Sequence, residues 1–296
     1  MVWCSGWRLA SAVSNAGGLG IIGAGSMYPE VLRMHIRKCR AATSLPFAVN
    51  VPLLYPNVQE IMEIIVAEQV PIVFTSAGNP ATWTGYLKER GLTVVHVVSN
   101  TRFAKKSAAA GVDAVVAEGF EAGGHNGREE TTTLCLVPLV RAAVDIPVIA
   151  AGGIGSGKAM LAAFALGADG VQVGSAFAVA EESSAHPEFK ARILAAGEGD
   201  TQLSMKALVP VRLLKNTFAA QVAQAEAEGA DAERLQELLG RARAKAGMFE
   251  GDMEEGELEI GQVAAGLQRI APAASILQDI WKEFLTEKEK LSKLSF

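Results

Sequence analysis

A histidine in a glycine-rich segment is the strongest candidate for chemistry in this sequence. His125 lies in AEGFEAGGHNG, at 117–127, with Gly123, Gly124 and Gly127 around it, so it belongs neither to an apolar helix face nor to a strand. An imidazole titrates near neutral pH and can act as a general acid or base. Because glycine has no side chain, a flat ring system can lie close to this backbone. The segment therefore predicts acid–base catalysis beside a planar ligand.

Two further glycine turns are candidates for binding an anion. AAGGIGSG, at 150–157, contains Gly152 and Gly153, and QVGS, at 172–175, contains Gly174; each turn follows an apolar run. Backbone N–H groups in such turns can approach an anion, and the N-termini of the helices that follow add positive dipole ends. The alternative is that these glycines only make tight turns. Because both turns follow the last two predicted strands, we favour a phosphate site.

The remaining titratable residues are weaker candidates. Glu118 and Glu121 could form an acid–base pair, but the sequence does not show whether they converge, and a hydrogen bond to a ligand or to the backbone is the alternative for Glu118. No G-x-G-x-x-G opens a helix after the first strand, and there is no P-loop or H-E-x-x-H motif, which argues against Rossmann binding, P-loop chemistry and zinc hydrolysis. Structural roles are expected for the other histidines, His35, His96 and His186.

The elements that position these residues repeat about every 25 residues, since short apolar runs alternate with helical segments. This alternation predicts βα units around a parallel sheet, and the nearly continuous apolar character of the strands predicts that both faces are covered. Between the strands, the segment 57–69 has one apolar stripe and predicts an outer helix. The seven predicted strands are 19–23, 46–51, 71–77, 93–98, 113–118, 147–151 and 170–174.

The first element of the chain bears on the architecture. Residues 7–16 predict a helix that ends at Gly17 and Gly18, and no strand is visible before it. For an eight-stranded β/α barrel of the TIM type, this pattern implies that the first strand lies upstream of Met1 and is absent here. A doubly wound open sheet is the rival architecture, because it accommodates seven strands without a missing unit.

The repeat ends near residue 180, which suggests two regions. We predict a β/α barrel at 1–180 and a mostly helical cap at 181–296, with no further clear strand in the cap. The Gly-rich, acidic segment 247–262 predicts a loop, and 286–296 predicts a solvated tail. A last amphipathic helix is marked by Leu277, Ile280, Trp281 and Phe284.

The composition narrows the class of protein. The chain has 296 residues, of which 50% are hydrophobic, and 27 Lys and Arg against 32 Asp and Glu give a net charge of -5. There is no basic run of the kind that binds nucleic acid. The three cysteines lack a C-x-x-C spacing, which argues against a zinc site, and no apolar run reaches the ~18 residues that a membrane span needs. We predict a soluble cytoplasmic protein without metal, nucleic acid or membrane as a partner.

At the three glycine-rich motifs, this sequence resembles the flavin-dependent family of the nitronate monooxygenases, also called 2-nitropropane dioxygenases, and the type II enoyl-acyl carrier protein reductases. EAGGH and AAGGI, in this order and spacing, are specific to the family, whereas isolated glycine turns are not. The resemblance covers nearly the whole chain. It continues through SNAGGLGIIGAG (14–25), PFAVNVPLL (46–54), TSAGNP (75–80), ESSAHPEFKARIL (182–194) and GQVAAG (261–266).

The resemblance implies a (β/α)8 barrel that holds FMN at its carboxyl end, with NAD(P)H as co-substrate. By motif, His125 would be the catalytic histidine, and Gly123 and Gly124 would lie beside the isoalloxazine. The remaining flavin-binding positions that the resemblance implies are Asn50, Glu118, Gly152, Gly153, Gln172, Val173, Gly174 and Ser175.

Glu118 favours one branch of the family. The reductase branch resembles AEG-x-EAGGH, as here, whereas the monooxygenases typically have glutamine at this position. We therefore expect an enoyl reductase of fatty acid biosynthesis, in which an α,β-unsaturated thioester accepts hydride from the flavin. The alternatives are a nitronate monooxygenase that uses O2, and a truncated, non-catalytic remnant. The resemblance also implies an acyl carrier protein as a partner and a homodimer, although the acidic segment 252–259 opposes an acidic carrier on electrostatic grounds.

Overall fold

The structure, a computed structural model, describes residues 1–294 and contains one parallel sheet of seven strands and a second, small sheet. Each of the seven predicted strands is present in the large sheet. Within the described residues the strands are β1 (Gly20–Gly23), β2 (Phe47–Pro52), β3 (Ile72–Ser76), β4 (Thr93–Val98), β5 (Ala114–Glu118), β6 (Gly124–His125), β7 (Val148–Ala151), β8 (Gly170–Gln172), β9 (Thr201–Ser204) and β10 (Val211–Leu214).

Helices follow the strands of the large sheet and cover its outer face. Their apolar stripes begin and end close to the predicted positions, as in the helices that follow Gly6 and Asn57. The helices are α1 (Trp7–Asn15), α2 (Pro29–Ala42), α3 (Val58–Ala67), α4 (Thr84–Lys88), α5 (Thr101–Ala109), α6 (Thr133–Arg141), α7 (Gly157–Ala165), α8 (Ser175–Ala178), α9 (Pro187–Leu194), α10 (Thr217–Ala227), α11 (Ala232–Leu239) and α12 (Ala273–Ser292).

The order of the strands decides between the two predicted architectures. The large sheet runs β1-β2-β3-β4-β5-β7-β8, so its strands pair in parallel in the order in which they follow along the chain, with β6 in the other sheet. A doubly wound sheet would reverse direction at a switch point, and this sheet does not. The order is that of a curled barrel sheet. An eighth strand, and its absence from this chain, stay predictions.

Both faces of the curled sheet are buried, as the continuous apolar runs predict. Alternate residues along each strand point to opposite faces. One face carries a small inner cluster that includes Phe74 and Val116, and the other packs against the helices through residues such as Val73 and Val115. This two-sided core fixes the strand register and therefore the height at which each strand ends.

Helix α12 spans the two edges of the large sheet. It packs against both α1 and α7, the helices next to the first and last strands. At α7 the contact is so close that a Cβ on Gly157 would lie 2.2 Å from the backbone nitrogen of Phe284. The Gly157 N–H also donates a hydrogen bond of 2.7 Å to Glu283 Oε2. At the first strand of the sheet, the amide of Gly23 in β1 donates to the carbonyl of Ser5, just before α1.

The prediction that no strand follows residue 180 is wrong. β9 and β10 pair in antiparallel fashion, and β10 also pairs with β6, giving a three-stranded sheet of order β6-β10-β9. β9 and β10 have four residues each, TQLS and VRLL, too short for a periodic pattern to stand out. This small sheet joins chain from both sides of residue 180, and the division into 1–180 and 181–296 stays a prediction.

The C-terminal region otherwise follows the prediction with one correction. α12 contains all four apolar residues of the predicted last helix, but it continues to Ser292, so most of the predicted tail is helical. Residues 295–296 of that tail lie outside the described range. A π-helical turn at Lys245–Phe249 begins the segment predicted as a loop. None of the helices in residues 1–294 is long and apolar enough to cross a membrane.

Candidate active site

The loop that carries His125 is held in place from three sides. The amide of Phe120 donates to the carbonyl of Thr131, and Asn126 Nδ2 donates to the carbonyls of Ala122 and Gly124 at 2.9 and 3.0 Å. The loop ends in β6, where His125 pairs with Val211 of β10, so the prediction that His125 belongs to no strand is wrong. The small sheet that sequence analysis missed is therefore the element that fixes the position of the histidine.

His125 is exposed and lines a cavity of about 370 Å³. The walls of this cavity come from β10, from the segment after α11 and from the N-terminal residues, and they include Tyr55 and Met205. The mixture of apolar walls and a few polar groups is typical of small-molecule sites. We call this the histidine cavity.

A second cavity, of about 140 Å³, lies at the carboxyl ends of β5, β7 and β8. Both glycine turns singled out in the sequence line it, and we call it the glycine-turn cavity. Gly152 and Gly153 have positive φ angles of 86° and 68°, which favour glycine. Within residues 1–294, the N–H groups of Gly153 and Gly174 donate no hydrogen bond, so both donors are free for a ligand.

Two polar side chains, at the ends of the strands on either side of β7, also line the glycine-turn cavity. Glu118 ends β5 and Gln172 ends β8, and neither side chain has a hydrogen-bond partner among the described residues. Burial raises the pKa of Glu118 to about 7. A protonated carboxyl, an amide and two free backbone N–H groups form a donor and acceptor set that fits a polar heterocycle with an anionic tail.

The raised pKa of Glu118 predicts a pH-dependent stability difference on replacement by glutamine. The folded chain holds this proton up to about pH 7, whereas the unfolded chain loses it near the ordinary value of 4.5, so ionisation destabilises the folded state as the pH rises through this window. We expect Glu118→Gln to raise the free energy of unfolding by about 3 kcal/mol at pH 8 and to leave it unchanged at pH 4. Urea unfolding of the flavin-free chain at both pH values measures this; an equal gain at both would contradict it.

Glu121 lines the glycine-turn cavity together with Glu118, but its carboxylate is engaged by the end of a helix. Its carboxylate accepts hydrogen bonds of 2.9 Å from the amide and from the hydroxyl of Thr133, the first residue of α6. Glu121 therefore satisfies the N-terminus of a helix, a structural role that a carboxylate favours at this position.

The predicted site residues divide between the two cavities and the surrounding structure. Of the predicted flavin-binding positions, Asn50, Gly124 and Val173 line neither cavity. Asn50, in β2, has its Nδ2 atom 3.5 Å from Oγ of Ser76, the last residue of β3. The three other histidines make local contacts: His35 Nδ1 accepts from an amide of α1, His96 Nδ1 lies 2.7 Å from Thr75 Oγ1, and His186 caps α9. The predicted positions that line the glycine-turn cavity are Glu118, Gly123, Gly152, Gly153, Gln172, Gly174 and Ser175.

The two cavities adjoin, because Val2 and Glu259 line both of them. Glu257 also lines the histidine cavity, and its side chain is only 7% exposed. Sequence analysis treated these glutamates as part of an acidic loop. The alternation of Glu and apolar residues in ELEI, at 257–260, was the signal that one side of this segment is buried, and Glu259 indeed pairs with Leu213 of β10.

A second residue that sequence analysis missed is Arg212, which is 2% exposed. Its Nε and Nη2 atoms donate to the carbonyl of Phe120 at 3.1 and 2.9 Å, and its guanidinium lies over the Phe120 ring at 4.4 Å. Arg212 is paired with Gly124 across β10 and β6. Only the pairing of β10 with the His125 loop reveals its position, and no sequence motif marks it.

The sequence and the fold of this chain match those of known proteins. The family model named nitronate monooxygenase matches residues 1–71 and 56–283, which together make up most of the chain. The chain belongs to the nitronate monooxygenase family. Members of this family are flavin-dependent oxidoreductases, so the family resemblance inferred from the three glycine-rich motifs is confirmed.

Individual members of the nitronate monooxygenase family and related structures span nearly the full length. FabK from Thermotoga maritima is 43% identical with a TM-score of 0.94, and the match covers 99% of this chain and 93% of that one. Nitroalkane oxidase from Streptomyces ansochromogenes is 28% identical with a TM-score of 0.84, covering 98% and 95%. A Mycobacterium tuberculosis protein, (3aS,4S,5R,7aS)-5-hydroxy-7a-methyl-1-oxo-octahydro-1H-indene-4-carboxyl-CoA dehydrogenase, is 30% identical over 334 aligned positions, covering 99% and 94%.

Proposed function

We propose that this chain is an FMN-dependent reductase of enoyl thioesters that uses NAD(P)H. The observation that carries the proposal is the adjacency of the two cavities. One presents free N–H donors at two glycine turns, and the other presents His125, with Glu259 in the wall between them. A flavin bound in the first would meet a substrate bound in the second.

The residues of the glycine-turn cavity fit the cofactor. Gly153 and Gly174 would donate backbone N–H groups to the phosphate, and Glu118 and Gln172 would hydrogen-bond the ring system. When bound, FMN would supply the redox chemistry, the transfer of a hydride from NAD(P)H to the β-carbon of an α,β-unsaturated thioester. His125 would hold the thioester in the histidine cavity and supply the proton that the α-carbon takes up. The apolar walls would keep water from the reacting carbon.

Three observations favour the reductase over the monooxygenase. FabK, a type II enoyl-acyl carrier protein reductase, is more similar in sequence than nitroalkane oxidase, at 43% against 28% identity. The M. tuberculosis relative is named for a CoA thioester. A nitronate is an anion, and the negative charge of Glu259 in the histidine cavity opposes its entry.

We also propose a cytoplasmic location for this protein. The three cysteines are free, which fits a cytoplasmic location. An acyl carrier protein as thioester donor and a homodimer also stay part of the proposal. Glu257 and Glu259 line the interior rather than the outer surface of the acidic segment, so they oppose an acidic carrier less than the sequence suggests.

Two paired assays test the reductase. Purified chain reconstituted with FMN is mixed anaerobically with NADH or NADPH and a crotonyl thioester, and nicotinamide oxidation is followed at 340 nm. The same chain is then mixed aerobically with an alkyl nitronate, and oxygen consumption is followed. We expect thioester-dependent oxidation in the first assay. Oxygen consumption alone would identify a nitronate monooxygenase, and inactivity in both would support a non-catalytic remnant.

Arg212 is expected to act through the His125 loop. Arg212→Leu leaves the Phe120 carbonyl without its two donors, so the loop shifts and kcat falls about 10- to 100-fold, while FMN content stays unchanged. Arg212→Lys should recover part of the rate, since one donor is restored. The matched control is Arg192→Leu, which removes a half-buried arginine that also donates to a backbone carbonyl, that of Lys215. Equal losses of kcat in Arg212→Leu and Arg192→Leu would contradict the positioning role.

A further inference from the structure

The wall of the histidine cavity carries two carboxyl groups that the proposed reaction does not use. Glu257 and Glu259 alternate with Leu258 and Ile260, which are buried in the core of the cap. Glu257 is 93% removed from solvent, yet neither carboxyl accepts a hydrogen bond or forms an ion pair within residues 1–294. The oxygens of both carboxyls therefore face the open space of the histidine cavity, where a bound substrate would meet them.

The basic residues of the same cavity are already neutralised. Arg243 Nη1 lies 3.4 Å from Glu255 Oε2 and 2.7 Å from its carbonyl, and Lys245 Nζ lies 2.6 Å from Glu250 Oε1. Arg243 and Lys245 are therefore each paired with a carboxylate other than Glu257 or Glu259. The unpaired negative charge of the cavity therefore comes from Glu259, with Glu257 as a second carboxyl beside it.

Glu259 lies next to the segment that carries His125. A Cβ placed on Gly124 would lie 2.6 Å from Glu259 Oε2, so the carboxylate lies against the residue just before His125. Glu259 also lines the glycine-turn cavity. Its charge is therefore close to any group that reaches from the substrate toward the flavin.

The second carboxyl keeps a proton at neutral pH. Burial and the negative charge of Glu259 raise the pKa of Glu257 to about 8, against the smaller opposing effect of Arg243. The other titratable groups that line this cavity are His125, Tyr55 and Lys245. The pair can thus donate one hydrogen bond and accept others while it keeps a negative charge.

We propose that Glu257 and Glu259 determine the charge of the acceptor: they admit enoyl groups without charge near the double bond and exclude those that carry a carboxylate there. The proposal rests on the proposed reductase function and adds the substrate class.

The test compares two thioesters that differ in one group. Crotonyl and fumaryl N-acetylcysteamine thioesters carry a methyl and a carboxylate, respectively, at the far end of the same double bond. We expect the reconstituted enzyme to favour the crotonyl compound in kcat/KM. In Glu257→Gln/Glu259→Gln the preference should shift toward the fumaryl compound by about 10-fold or more, since each 1.4 kcal/mol corresponds to a factor of ten. Glu254→Gln removes the same charge from an exposed position and should leave the ratio unchanged.

A binding measurement separates this inference from the reductase function. Butyryl and succinyl N-acetylcysteamine thioesters are the saturated counterparts, and their binding is followed by the change in flavin absorbance. If neither enoyl compound is reduced, the reductase proposal fails, while tighter binding of butyryl than succinyl, lost in the double variant, still supports charge selection. An unchanged preference in the double variant, in both rate and binding, overturns it.

Discussion

Replacing His125 with alanine lowers kcat for thioester reduction by about 100- to 10 000-fold, the range expected for loss of a general acid. FMN content and the flavin spectrum stay unchanged, because His125 lines the histidine cavity and not the glycine-turn cavity. The measurement is steady-state turnover of the crotonyl thioester, with absorbance at 450 nm per protein as the measure of cofactor.

The control for this prediction is His186→Ala. His186 caps α9 and lines neither cavity, so its loss can affect stability but not the proton transfer. A His125→Ala protein that loses its flavin would mean that the histidine acts as a structural residue. A variant with undiminished kcat would assign the proton to another group of the cavity.

Replacing Gly174 with valine weakens FMN binding by about 100-fold or more, which corresponds to about 2.7 kcal/mol. The φ angle of Gly174 is -105°, and a Cβ there would meet nothing closer than Met1 Sδ at 3.8 Å, so the protein itself tolerates a side chain. The valine instead fills the space beside the free N–H groups, where the phosphate would lie. Fluorescence titration of the flavin-free chain with FMN measures the affinity.

Gly170→Val is the matched control, because Gly170 begins β8, the strand that leads to Gly174, and its Cβ would meet only Ile149 Cγ1, at 3.9 Å. Gly170 does not line the glycine-turn cavity, so we expect normal FMN affinity. Both proteins should fold, and FMN should raise the melting temperature of the control but not of Gly174→Val. Equal affinities in the two variants would remove the glycine turn from the phosphate site.

The large sheet could be predicted because its signal is local. Runs such as TVVHVV are apolar throughout, and the junctions between units carry the glycines that end helices, so strand and helix alternate visibly along the chain. The glycine turns at the carboxyl ends follow from the same alternation. Parallel order brings those ends to one edge of the sheet, and the glycine-turn cavity lies there.

The site residues outside that repeat could not be predicted, since their partners are distant in sequence. Arg212 contacts Phe120 across 92 residues, and Glu259 approaches Gly124 through a bridge to Leu213. Glu118 and Glu121 show the opposite case, in which residues close in sequence have different partners in the fold. Proximity in sequence suggested a shared role, but the second carboxylate turns toward a helix end that only the fold creates.

The contact of α12 with both edge helices has a consequence for folding. The 2.7 Å hydrogen bond between Gly157 and Glu283 joins residues 126 positions apart, and α1 meets the same helix from the opposite end of the chain. Contacts of such high sequence separation form late, because loop-closure entropy must be overcome first. On the ribosome, the seven-stranded sheet would be synthesised long before the helix that spans its edges. We therefore expect a nascent chain that lacks α12 to keep its edges protease-sensitive, and protection to appear only after the last helix emerges.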